Sequence, residues 1–394
     1  AVAYSVVAYQ TAYLKAHYLE EFLAANLSNE YGNPDKVTIL LEDCRKMKVK
    51  VLPPDINNPS IKFTVDRGRI IFGMAAIKNV GVNAVAEIQN AHNKAGRKFN
   101  SIYDFCSCVD TRVVNKRVLE GLVLAGAFDS LGGPRSQNFA AIEEALSFGS
   151  KVQESKDSQA GGLFQDDHSA IEIHEPELPK IAPWDSKERL SKERQVLGFY
   201  LSDHPLRKYE SEYYSFANVY LGEPETFKLN EVVRACGVIT DIRTRMDKQG
   251  RQMAFFKLDD FTGSCECLTF SKTYKEYEPH ISDEATVIVK GMLESSGDAV
   301  KLNVDEVIPL SEAKAKLTRR IGIVVDAKQH NEETIGKIKK IFENHEGSIP
   351  VSLRVLNGKG YRDFYLSYKV NPTDEAVAKL IKLLGDDSVR YFTN

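Results

Sequence analysis

No apolar run in this chain of 394 residues is long enough to cross a bilayer, and no secretory leader stands ahead of its cysteines. Those absences argue against a membrane protein and against a secreted scaffold. The six cysteines (Cys44, Cys106, Cys108, Cys236, Cys265 and Cys267) include no CxxC pair and show no disulfide-framework spacing, so a reducing cytoplasm is the expected setting. Cys265-Glu266-Cys267 lies in an alternating strand pattern where positions i and i+2 face one way, which reads as core packing and not as a metal site. There is also no Walker loop, no GxGxxG and no metal-spaced histidine cluster. His204 beside Asp203 has no nucleophile near it in sequence and reads as a capped turn. No catalytic and no metal-ligating residue is therefore assigned.

What the chain does have is core-forming capacity. At 43% hydrophobic and 27% charged residues it can build roughly two to four domains. A formal net charge of −3 argues against a wholly basic nucleic-acid coat, but the distribution is uneven. Between Lys78 and Arg117, seven Lys/Arg face three acids, a local excess of four positive charges.

The first thirty residues, with no capping residue ahead of them, read as a helix cut from something longer, running from Val2 to about Asn29. A second helix is expected from Pro34, capped by Asn33, to about Lys48. Leu52-Pro53-Pro54-Asp55 breaks the helical pattern, and 62–65 and 69–72 around Asp66-Arg67-Gly68 read as a β-hairpin. Short helical segments follow to about Gly149, then a polar linker from about Ser150 to Pro183, then a helix from about Ser186 to Tyr200. From Leu229 to Leu310 the pattern becomes five strands with a helix at 271–277 after the third, the order of an oligonucleotide-binding (OB) barrel. From Thr318 the order is βαββαβ, a compact α+β unit.

Three groups of residues carry candidate chemistry. Ile77 to Ile88 resembles a helix-hairpin-helix motif, in which Lys78 would contact a phosphate and the amides of Val80, Gly81 and Val82 would cradle it. Asn79 stands where the first glycine of that pattern is usual, and Asn tolerates positive φ. Lys116 and Arg117, on a downstream amphipathic helix, are further candidates for the backbone of a duplex. In the barrel, Arg243, Arg245, Lys248 and Arg251 cluster in the first strand pair and its loop, with Phe255, Phe256 and Phe270 supplying rings for single-stranded DNA. Alternation sends half of those rings inward. In the linker, Leu163-Phe164 is an isolated apolar pair, as in a peptide that docks into another protein's pocket.

The run Ala8 to Tyr18, the helix-hairpin-helix segment, Val114 to Asp129, the linker peptide and Gly198 to Leu206 occur in one order. On these residues and that order, the chain resembles the C-terminal part of the C-family bacterial replicative DNA polymerases, the DNA polymerase III alpha subunits. The resemblance implies a multidomain α and β chain: end of a helical fingers domain (1–50), β-hairpin connection (51–72), helix-hairpin-helix module for duplex (73–150), and linker with a clamp-binding peptide (151–183). It continues with a helical connector (184–226), an OB-fold (227–311) and a C-terminal α+β partner-binding domain (318–394). It further implies that Gln159, Leu163 and Phe164 engage the bacterial sliding clamp, with Gln159 four residues before Leu163 where three is usual, and that the last domain binds the clamp-loader tau subunit. Primer-template duplex and single strand are the expected DNA partners. Polymerisation needs clustered carboxylates holding two magnesium ions; Pro54-Asp55-Ile56-Asn57 only echoes the family's palm pair, and Asp259-Asp260 falls at an OB loop. The parent chain would then be the nucleotidyltransferase and use Mg2+, while this stretch binds without catalysing and has no cofactor. The competing expectation is a stand-alone repair or recombination accessory protein pairing the same two modules.

Overall fold

Helices form where the apolar residues recur at helical spacing, and the one cap expected from the sequence, Asn33, is in place. The computed structural model describes residues 2–161, 174–223, 227, 231–296, 299–357, 360–385 and 388–393. Contacts divide the chain into two units, Ala1–Pro205 and Leu206–Asn394.

The first unit begins with α1 (Val2–His17) and α2 (Leu19–Asn29), not with one continuous helix. The chain breaks at Tyr18 (φ −139°, ψ 56°), because α2 turns Leu23, Ala24 and Leu27 into the core while the described side chains of α1 stay exposed. Nothing at Tyr18 is a helix breaker, so periodicity could not reveal the bend. Helix α3 (Pro34–Lys46) starts as expected, with the Asn33 side chain accepting from the Lys36 amide. Three short strands, β1 (Val51–Leu52), β2 (Thr64–Asp66) and β3 (Arg69–Ile71), then form a sheet in the order β1-β3-β2. The hairpin turns on Arg67 and Gly68, both at positive φ, which suits the twist of its strands. Two-residue β1, parallel to β3, is too short to stand out in the sequence.

The helical module comprises α4 (Val82–Ala95), α5 (Ile102–Cys108), α6 (Lys116–Leu124), α7 (Arg135–Ala140) and α8 (Ile142–Gly161). Its centre is an edge-to-face chain of rings, Phe99 to Phe105 and Phe105 to Phe128, each pair 5.2 Å between centroids. Helix α8 continues to Gly161, where the sequence reads as linker from Ser150. Helix α9 (Ser186–Leu197) is capped by Asp185 and closed by left-handed Gly198, so its last residue, Leu197, lies three before the expected Tyr200. A buried charge cluster fixes α9: Arg135 donates to Glu193 and Asp129, and Glu193 also accepts from the amides of Leu201 and Ser202.

In the second unit, α10 (Glu210–Phe216) precedes a closed barrel of β4 (Val232–Met246), β5 (Gln252–Asp259), β6 (Ser264–Thr269), β7 (Thr286–Ser296) and β8 (Ala299–Pro309), in the order β4-β5-β6-β8-β7. Between β6 and β7 sits α11 (Ser271–Tyr277), so the OB reading holds. Alternation buries Ala254, Phe256 and Leu258 inside with Cys265 and Cys267, and burial pushes the Cys265 thiol up to about 11. The Asp260 carboxylate, fully buried, accepts from Tyr213 Oη, from Thr262 Oγ1 and from the amides of Leu221, Thr262 and Gly263. The sequence-level pairing of Asp259 with Asp260 thus marks a loop anchor. After α12 (Leu310–Leu317), the tail forms β9 (Arg320–Asp326), α13 (Glu332–Asn344), β10 (Glu346–Leu356), β11 (Tyr361–Val370), α14 (Asp374–Leu384) and β12 (Val389–Phe392). Its sheet order is β11-β10-β9-β12.

Candidate nucleic-acid interface

In the first unit the candidate site is the turn leading into α4. Asn79 takes φ 70°, the left-handed conformation expected of it, whereas Gly81 is extended (φ −80°, ψ 161°) and serves as the cap of α4. The conformational demand therefore falls on Asn79. At Gly81 an added Cβ would meet nothing within 4 Å. Lys78, Asn79, Gly81, Val82 and Asn83 are exposed in succession. Val80 departs from the expected set: its side chain is buried and its amide donates to the Ile77 carbonyl at 3.0 Å, so it is not open to a ligand. Among the described residues, the amides of Gly81, Val82 and Asn83 have no recorded acceptor, as the first turn of a helix dictates. Asn83 was missed; its signal is its place at the second position of the helix after the glycine.

The turn is braced from behind. The Lys78 amide donates to the Val196 carbonyl of α9. Helix α6 crosses the turn at Gly121, where a Cβ would lie 2.8 Å from the Lys78 carbonyl oxygen. Arg117 stands one helical turn before Gly121, hence on the same side of α6, and has no ion-pair partner among the described residues. Lys116 behaves differently: it pairs with Glu143, which raises the Lys116 pKa and lowers that of Glu143. Of the seven cations in this stretch, Arg97 is held by Asp104 and Arg112 by Asp110. That leaves Lys78, Lys94, Lys98 and Arg117 outside these pairs; Lys78 stands in the turn itself and Arg117 is exposed on the side of α6 that meets it.

In the second unit the candidate site is the outer wall of the barrel. A bulge between Thr240 and Arg243, with Asp241 at φ 54°, ends the inward run of β4 and turns its remaining residues to solvent. Register then sets Arg243 beside Phe255, and Phe255 beside Leu268. The Arg245 guanidinium lies 5.7 Å from the Phe255 ring. Of the three rings, Phe256 fills the barrel, Phe255 is half-buried on the outer wall and Phe270 is 54% exposed. Arg243, Arg245 and Lys248 have no ion-pair partner among the described residues. Arg251 does not belong with them, because its guanidinium pairs with Asp247 at 2.8 Å. Asp247 also accepts from the Gln249 and Arg251 amides and from Ser271 Oγ, which ties the β4–β5 turn to α11. These bonds, the Arg251 amide first, hold the Asp247 carboxyl well below the usual range.

Gln159 falls in the last turn of α8, and its side chain, with Leu163 and Phe164, lies outside the described residues.

Residues 48–138 match the family model for the helix-hairpin-helix motif, and residues 233–310 match that for the OB-fold nucleic acid binding domain. The DNA polymerase III alpha subunit of Pseudomonas aeruginosa is 33% identical over 411 residues, covering 98% of this chain and 34% of the relative. This chain resembles DNA polymerase III alpha subunits. Those of Vibrio cholerae and Escherichia coli are each 31% identical, again over 34% of their own length, so the chain spans about a third of these relatives. Among solved structures, PriB from Ralstonia solanacearum aligns with 21% of this chain and 98% of its own at 14% identity, with a TM-score of 0.18. Among the described residues no helix is long and apolar enough to cross a membrane.

Proposed function

We propose that this chain is the DNA- and clamp-engaging C-terminal part of a replicative DNA polymerase, in which template-directed synthesis belongs to the longer protein. The observation that carries this reading is similarity to DNA polymerase III alpha subunits along 98% of the chain, with the helix-hairpin-helix and OB regions inside it. The exposed amides of Gly81, Val82 and Asn83, with Lys78 and Arg117 beside them, suit sequence-independent contact with a duplex phosphate. The Arg243, Arg245 and Phe255 wall, with Phe270 and Lys248, suits a single strand, since it offers charge for the backbone and rings for the bases.

Among the described residues, the acids that echo a palm pair do not fit magnesium chemistry. Asp55 accepts from Ser130 Oγ and the Asn57 amide, and Asn57 holds the Phe99 backbone, so both brace a loop. Among the described residues no group of three His, Cys, Asp or Glu is placed to hold a metal ion. The working role here is attachment. Gln159, Leu163 and Phe164 would engage a sliding clamp and the tail domain the clamp-loader tau subunit, both on the family resemblance. Titration of the chain with bacterial sliding clamp is the test: binding is expected, and to be lost with Leu163→Ala/Phe164→Ala. Equal affinity of the two proteins would remove the clamp from the reading.

A further inference from the structure

The tail sheet has one face that neither the helices nor the barrel reading accounts for. Along β9, Ile321, Ile323 and Val325 are buried, and β10 and β12 add Val351 and Tyr391 in register beside Ile321. The opposite side carries Arg320, Gly322 and Val324 from β9, Ser352 and Arg354 from β10, and Arg390 and Phe392 from β12. From β11 it carries Tyr361, Asp363 and Tyr365, by the same register. A cavity of about 70 Å³ opens among these side chains, and among the described residues no helical one lines it.

The rings on this face are fixed in place. Phe392 lies over Gly322, where a Cβ would stand 2.6 Å from the ring. The Arg320 guanidinium sits 4.4 Å from the Phe392 centroid and 5.4 Å from that of Tyr365, and donates to Tyr365 Oη. Arg354 stacks 4.1 Å from the Tyr361 centroid while holding Asp363 through two bonds. Each tyrosine therefore rests on an arginine and remains open elsewhere, Tyr365 at 75% and Tyr361 at 63% exposure. They are four residues apart on one strand, roughly 13 Å, a span of several stacked bases.

From this face we infer a second single-stranded nucleic-acid site, distinct from the barrel and independent of it: bases stack on Tyr361 and Tyr365, and Arg390 takes a phosphate. Arg390 has no recorded partner among the described residues, whereas Arg320 and Arg354 have donors committed to Tyr365 and Asp363. What the face offers most freely is thus ring surface, which a base uses and an acidic peptide does not. Charge agrees: residues 318–394 hold thirteen Lys/Arg against ten Asp/Glu, in a chain of net charge −3.

The test uses the whole chain carrying Arg243→Ala and Arg245→Ala, with an oligo-dT probe containing 5-iododeoxyuridine. Photo-crosslinks mapped to Tyr361 or Tyr365 are expected, along with a loss of about tenfold in oligo-dT affinity on adding Tyr361→Ala/Tyr365→Ala. Adducts absent from β11, or an affinity unchanged by the tyrosine pair, would overturn the site. So would binding of a poly-glutamate peptide without binding of oligo-dT, which would give the face to an acidic protein. The barrel reading is tested separately by Arg243→Ala/Arg245→Ala in the otherwise unaltered chain, so the two failures are distinguishable.

Discussion

At the turn before α4 the open groups are mostly backbone amides, those of Gly81, Val82 and Asn83, with two flanking cations. On the barrel wall they are side chains: Arg243, Arg245, Lys248, Phe255 and Phe270. An amide cradle is rigid and cannot be removed by truncating a side chain, but it depends on whatever holds the backbone in place. A wall of side chains is adaptable, and each member can be deleted singly. The two regions also anchor their loops differently. Arg135 pairs with Glu193 and Asp129 in the first unit, while Asp260 in the second accepts from Tyr213 Oη and from the amides of Leu221 and Gly263.

The sharpest way to break this comparison is to remove an anchor. Arg135→Ala leaves Glu193, whose side chain is 1% exposed, without its cation, a change expected to cost about 3–5 kcal/mol. Calorimetry should show the transition of the first unit lowered and that of the barrel unmoved. A uniform small shift would mean that the cluster is not what fastens α9 and, through Val196, the turn.

A smaller effect separates the two interfaces. Lys78→Glu should weaken duplex binding and lower its salt slope by about one, while leaving oligo-dT binding alone. Arg243→Ala/Arg245→Ala should do the reverse. Anisotropy with both probes at two salt concentrations decides it, and equal losses for both probes in either variant would merge the sites.

Much of this was legible in the residues. The cap at Asn33, the five-strand order of the barrel and the tail's βαββαβ pattern rest on local rules, and local rules are visible in one sequence; the caps at Asn115 and Asp185 follow the same rules but were not read. Positive φ at Asn79 could be read because few other residues accept it. The bend at Tyr18 is set by what α2 packs on, and β1 by its partner β3. Likewise Val80 and Arg251 looked available because their acceptors, Ile77 O and Asp247, become adjacent only when the turn closes. Lys116 met Glu143 from twenty-seven positions away, beyond any spacing argument.

The finest distinction concerns the β4–β5 turn, the one part of the barrel wall that resembles the amide turn in relying on backbone bonds. Asp247 is a carboxyl whose folded pKa is lowered, so its contribution is present above its unfolded value, near 4, and is lost as pH falls through the folded value. Against Asp247→Asn, the chain should hold its full advantage in Tm at neutral pH and keep it to about pH 5. The advantage should shrink below about pH 4. Because the Arg251 amide is the leading cause and its guanidinium a lesser one, Arg251→Ala should retain most of this pH dependence. If Arg251→Ala abolished it, the turn would be held by the ion pair, and the wall would be built of side chains throughout.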